Sequence, residues 1–143
     1  MEINIKVSQE ILEVCPNFKF AAINCKVKNS SYNELLWKEI NNFAVKFVAE
    51  YKMEDIKKRS AIAATREVYK KLGKDPNRYR PSGEALCRRI LKGQGLYQID
   101  TLVDLINLIS LKTGYSIGGF DADKIKGNLI LGVGNAGEPF EAI

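Results

Sequence analysis

Apolar residues return at helical spacing through the middle of the chain and at shorter, strand-like intervals toward both ends. The longest helical pattern puts Leu35, Leu36, Ile40, Phe43, Phe47 and Val48 toward a core in a segment running to about Tyr51. Ser31 and Glu34, at capping-box spacing, introduce it. After a short break a second helix is predicted over Glu54 to Leu72, closed by Gly73. A third, Pro81 to Leu91, opens with Pro and Ser in favoured starting positions, carries Glu84 in its first turn and places Arg88, Arg89 and Lys92 near its end. All of those charges suit the helix dipole. The fourth, Asp100 to Lys112, is apolar almost all round, with Thr101, Asp104, Asn107 and Ser110 on one narrow stripe, so it is expected to be mostly buried.

The remaining pattern is shorter in period. Ile3 to Val7 reads as a short strand and Ser8 to Val14 as a short helix that Pro16 ends. Phe18 to Val27, rich in apolar and β-branched residues, reads as a strand followed by a turn at Asn29 and Ser30. Tyr115 to Phe120 is expected to be a strand with Gly118 and Gly119 inside it, where either something approaches the backbone closely or the strand simply bulges. Asp121 to Lys126 reads as a turn and Asn128 to Val133 as a further strand. There are no internal repeats, low-complexity segments or linkers, so residues 1–143 are expected to form one domain.

Composition narrows the class. A hydrophobic content of 45% with 27% charged residues is ordinary for a soluble globular protein. No apolar run is long enough to span a bilayer, and Met1 to Glu10 is unlike a secretory leader, so the expected location is the cytoplasm, with no membrane partner. The three cysteines, Cys15, Cys25 and Cys87, have no C-x-x-C spacing; neither a disulfide framework nor a metal site is expected. There is no histidine, which excludes Ser-His-Asp and Cys-His nucleophile systems, H-E-x-x-H zinc sites and an imidazole base. No cofactor is called for. Chemistry must come from carboxylates, hydroxyls, lysine, cysteine, backbone dipoles or the substrate itself.

Charge is concentrated. Lys57 to Lys92 holds twelve Lys and Arg against three Asp and Glu, whereas the remainder is net acidic, giving a total of +5. A focused basic patch attracts polyanions, nucleic acid being the commonest; a solvated helix surface is the ordinary structural alternative. Within it, Gly73 to Arg80 has turn chemistry and a cluster of Arg78, Tyr79 and Arg80 that can hold a phosphate and stack a base, or simply connect two helices.

Thr65 to Phe140 resembles the B3/B4 domain, the tRNA-binding and editing domain of bacterial phenylalanyl-tRNA synthetase beta subunits, and is closer to freestanding members of that family. The pieces that carry the resemblance are Arg80-Pro81-Ser82 with Glu84-Ala85-Leu86 and Arg88-Arg89, Val103-Asp104-Leu105 with Asn107, Gly119-Phe120-Asp121 with Lys124-Ile125, and Gly137-Glu138. The resemblance implies a three-layer α+β fold with a mixed sheet and packed helices. It also implies hydrolysis, in trans, of the ester joining a wrong amino acid to tRNA. Asn107 and Glu138 match positions that hold the misattached aminoacyl group, and Gly118 and Gly119 match the strand forming the pocket wall. Arg78, Arg80, Arg88, Arg89 and Lys92 are the residues expected to hold the tRNA acceptor end.

The chain departs from the synthetase pattern in having Gly118 where that pattern has histidine and Ile106 where it has threonine. These changes would alter which amino-acid side chain fits, and the carboxylate of Glu138 would favour an amine or another cationic group. The family domain continues past the Gly-Glu motif, so this chain is expected to be shortened at its C-terminal end. An aminoacyl ester is already reactive, and an editing site needs only to exclude the correct amino acid, position a water and stabilise an oxyanion with backbone N–H groups. Cys87 lacks a histidine to activate it and is a poor nucleophile candidate. The alternative to an enzyme is a non-catalytic RNA-binding or amino-acid-binding module of the same fold.

Overall fold

A computed structural model describes residues 4–140. Among them are five α-helices and one parallel pair of short strands, arranged in two compact units. The larger unit, Cys25–Gly119, contains α2 (Glu34–Glu50), α3 (Ser60–Lys71), α4 (Ser82–Leu91) and α5 (Thr101–Thr113). The other, Met1–Asn24 with Phe120–Ile143, contains β1 (Ile5–Val7), α1 (Gln9–Val14) and β2 (Leu129–Leu131).

In the larger unit, α2 is capped by Asn33, whose side chain accepts from the Leu36 N–H at 2.9 Å. The capping box expected from Ser31 and Glu34 is not what starts it; an Asx cap one residue before Glu34 satisfies the orphan donor directly. Phe47 of α2, Ile62 of α3, Cys87 and Ile90 of α4 and Leu111 of α5 make the core with Ile56, and Phe43, Tyr51 and Leu86 pack against it. Ile56 lies in a single 3₁₀ turn, Ile56–Lys58, because the second predicted helix is broken at Arg59, whose backbone leaves the helical region at φ −59, ψ 130. The break turns the Arg59 guanidinium onto the C-terminal end of α5, where it donates to the carbonyls of Leu111 at 2.9 Å and Lys112 at 3.0 Å. Orphan carbonyls are thereby satisfied by a charged donor.

Only Asp104, Leu108, Ser110 and Leu111 of α5 are buried, and Leu105 and Ile109 are exposed, so this helix is amphipathic and not wrapped on all sides. Among the described residues Phe18–Val27 and Tyr115–Phe120 have no ladder partners, and both are largely exposed, Ile23 reaching 88%. Strand propensity describes side chains suited to a pleated, half-buried surface, and without a neighbouring backbone it does not make a strand. The expected mixed sheet is, among the described residues, a single parallel pair with Ile5 opposite Leu129 and Val7 opposite Leu131. The β2 strand is the centre of the predicted Asn128 to Val133 segment. Ile3, part of the Met1 to Glu10 pattern, and the chain end at Ile143 lie outside the described residues. No helix of the described residues is long and apolar enough to cross a membrane.

Candidate functional site

The start of α4 sits tightly against the end of α5. Gly114 ends α5 in the left-handed conformation, φ 78, as a C-terminal glycine should. A Cβ on Gly83 would lie 2.8 Å from the Gly114 carbonyl oxygen and 3.0 Å from that of Tyr115, so the contact requires glycine there. The Gly83 N–H is met by the Ser116 hydroxyl at 3.1 Å.

This close approach carries Glu84 fully out of solvent, with 0% exposure. An isolated buried carboxylate would be costly, and three arginines surround this one. Arg66 of α3 donates to both carboxylate oxygens through one nitrogen, at 2.8 and 3.1 Å. The Arg88 Nε donates at 2.8 Å, and the Arg80 Nε lies 3.8 Å away. The other terminal nitrogen of Arg66 donates to Asn77 Oδ1 at 2.9 Å, which ties the Gly73 to Arg80 loop to the same hub. One negative charge therefore orients three positive ones.

The polar stripe of α5 divides by task. Asp104 is buried and accepts from Trp37 Nε1 at 2.8 Å and from the Ile99 N–H at 3.0 Å; it fastens α2 and the preceding loop to α5. The Thr101 and Ser30 hydroxyls are hydrogen-bonded at 2.6 Å, and Ser110 donates to the Tyr115 carbonyl. Asn107 lines a groove.

That groove has a volume of about 340 Å³. Arg80, Arg88, Arg89 and Lys92 give it four cations, and Ser82, Gln94 and Asn107 its neutral polar groups. Ala85, Leu86 and Ile117 supply apolar surface, and among the described residues no carboxylate lines it. Tyr97 forms one wall, with the Arg89 guanidinium 3.7 Å from its ring centroid and one Arg89 nitrogen donating to the phenol oxygen at 3.0 Å. Arg89 and Lys92 form no ion pair among the described residues. A cationic, partly apolar groove with an aromatic wall can take a phosphate, a stacked ring and an amide-recognised group together.

Arg80, Arg88, Arg89, Lys92 and Asn107, named from the sequence for two different tasks, thus line one groove. Arg78 is not among the lining residues; its guanidinium lies 5.3 Å from the Tyr79 ring centroid on the connecting loop. Gly118 follows the lining residue Ile117 and is exposed, outside any strand. Gly119 is close-packed, since a Cβ there would come within 3.3 Å of the Ile106 side chain. Glu138 belongs to the other unit, where its carboxylate accepts from the Asn135 N–H at 2.6 Å within a local turn. Cys87 is buried, and burial pushes its thiol up despite the Arg59 nitrogen 3.1 Å from Sγ, so it is not a poised nucleophile. Tyr97 and Gln94 were not named from the sequence; Gly93 and Gly95 nearby mark a turn, which is the only local sign that this short stretch folds back over α4.

The B3/4 domain family model matches residues 64–143. Over 53 residues the chain is 47% identical to the phenylalanine–tRNA ligase beta subunit of Bartonella henselae and 43% identical to that of Bartonella quintana. Each match covers 37% of this chain and 7% of the relative, so the chain corresponds to a small part of those subunits. No solved structure matches. A helical unit with a cationic groove is the class the structure defines, and the chain belongs to the B3/4 domain family.

Proposed function

We propose that this chain is a tRNA-binding editing protein that hydrolyses the ester of a mischarged aminoacyl-tRNA in trans. The observation that carries this reading is the meeting of Asn107 with Arg80, Arg88, Arg89 and Lys92 in one groove inside the B3/4 region. The cations would hold the phosphates of the acceptor end, with Arg78 adding to the basic surface of the adjoining loop, and Asn107 would read the aminoacyl group. Gly118 and Gly119 offer backbone close to it, and Glu138 enters through the family resemblance as a second contact for the aminoacyl group. In the same reading, residues 1–143 make one B3/4-like domain, and the protein acts in the cytoplasm, where charged tRNA is.

The chemistry asks little of side chains. Water adds to the ester carbonyl, backbone N–H groups stabilise the oxyanion, and the adduct collapses by expelling the ribose oxygen, which takes a proton and leaves as a hydroxyl. The neighbouring ribose hydroxyl of the tRNA would orient the water, since no histidine exists in the chain and no carboxylate lines the groove among the described residues. That second fact also favours the alternative, a binding module of the same fold without turnover. The two separate on release of amino acid from a panel of correctly and incorrectly charged tRNAs, with Glu138→Gln measured alongside. Selective release altered by Glu138→Gln supports the enzyme, and no release from any member by a folded protein leaves the binding module.

A further inference from the structure

Tyr97 is 56% exposed although one face of its ring is covered by the Arg89 guanidinium. The arrangement is held at two points, by the 3.7 Å stacking distance and by the hydrogen bond to the phenol oxygen. The Arg89 Nε is buried with no hydrogen-bond partner among the described residues, so the side chain keeps this position without full satisfaction of its donors. The price is met by what the pose creates, a flat aromatic platform backed by a positive charge. Arg88, fixed by buried Glu84, and Arg80, beside the same carboxylate, line the same groove.

We propose that this groove is a nucleotide subsite for the end of a single-stranded RNA, with the base stacked on the open face of Tyr97 and the phosphate held by Arg80 and Arg88. A cation behind an aromatic ring strengthens stacking on the other face, and guanidiniums oriented in advance bind a phosphate without first paying to order their side chains. An acidic peptide would use the cations and leave the open ring face without a partner, which is why RNA is the better fit. The inference rests on the reading of the groove as the tRNA-facing surface and adds to it a residue that is not among the pieces carrying the family resemblance.

The test is binding of a fluorescently labelled single-stranded RNA tetranucleotide ending in CCA to the full chain, followed by anisotropy at several salt concentrations. Tyr97→Leu should weaken binding on the order of tenfold, the scale of one stacked base, while Tyr97→Phe stays close to the wild-type value. The same oligonucleotide with an abasic 3′ end should bind wild type and Tyr97→Leu equally. Arg88→Gln should reduce the salt dependence by about one phosphate contact. Unchanged affinity in a folded Tyr97→Leu protein, an equal loss on the abasic oligonucleotide, no binding at all, or preference for polyglutamate would each overturn the proposal. Amino-acid release keeps the two claims apart. Tyr97-dependent oligonucleotide binding without release upholds the subsite and removes the enzyme, whereas release unaffected by Tyr97→Leu in rate and KM does the reverse.

Discussion

Replacing Glu84 by glutamine would remove the single buried charge that holds Arg66 and two of the groove's arginines, Arg80 and Arg88. Glu84 is fully buried, Arg66 is 11% and Arg88 18% exposed, and Arg80, at 37%, is the most open of the three. The two inner arginines would keep their desolvation cost and lose the charge that offsets it. Breaking a buried pair in this way costs about 3–5 kcal/mol. For a chain of this size about 4 °C of melting temperature accompanies each kcal/mol, so the expected drop is roughly 12–20 °C by circular dichroism. The effect on RNA separates two roles. Glu84→Gln raises the net charge of +5 by one unit, and simple electrostatics would tighten tRNA binding. If Glu84 instead aims Arg80 and Arg88, affinity measured well below the melting transition falls several-fold despite the added charge. A loss of under about 1 kcal/mol in stability, or tighter tRNA binding, would refute the reasoning.

Arg59→Lys should destabilise by about 1.5–3 kcal/mol in a denaturant titration, because an ammonium cannot reproduce the guanidinium fork to Leu111, Lys112 and Cys87. Gly83→Ala, which in an open helix would stabilise by roughly 1 kcal/mol, should cost about 1–3 kcal/mol because both contacts are backbone oxygens. Asp100 caps α5, and the Val103 N–H, followed by Asn29, holds its carboxyl below the ordinary value of 3.8. Its contribution is therefore present above that value and lost as pH falls through the depressed one. Asp100→Asn should flatten the acid-side fall of melting temperature, and a parallel curve would contradict the assignment.

Local signals in the sequence are enough for the starts of α4 and α5, where Pro81, Ser82 and Asp100 mark them chemically; the αL glycine Gly114 that ends α5 shows only in the structure. They failed where the outcome depends on a distant partner. Phe18–Val27 has strand composition, but pairing is decided by a second backbone that no local pattern names. Arg59 looked like one more cation in a basic run; its break from the helix makes sense only beside the end of α5, fifty residues on. The candidate site divides in the same way. Asn107 is named through the family motif and the arginines through the basic run as well, and their sharing of one groove follows from the Gly83 contact that brings α4 against the α5 end. Tyr97 carried no motif, and its place is set by Arg89 across a turn.

The central claim is that this groove reads the aminoacyl end of a mischarged tRNA. Single-turnover release from the best substrate of a charged-tRNA panel, compared between wild type and Asn107→Ala at matched tRNA occupancy, tests it most directly. The account predicts that Asn107→Ala slows release or changes which amino acid is released while tRNA affinity stays near wild type. Equal rates and equal selectivity in a folded Asn107→Ala protein would contradict it.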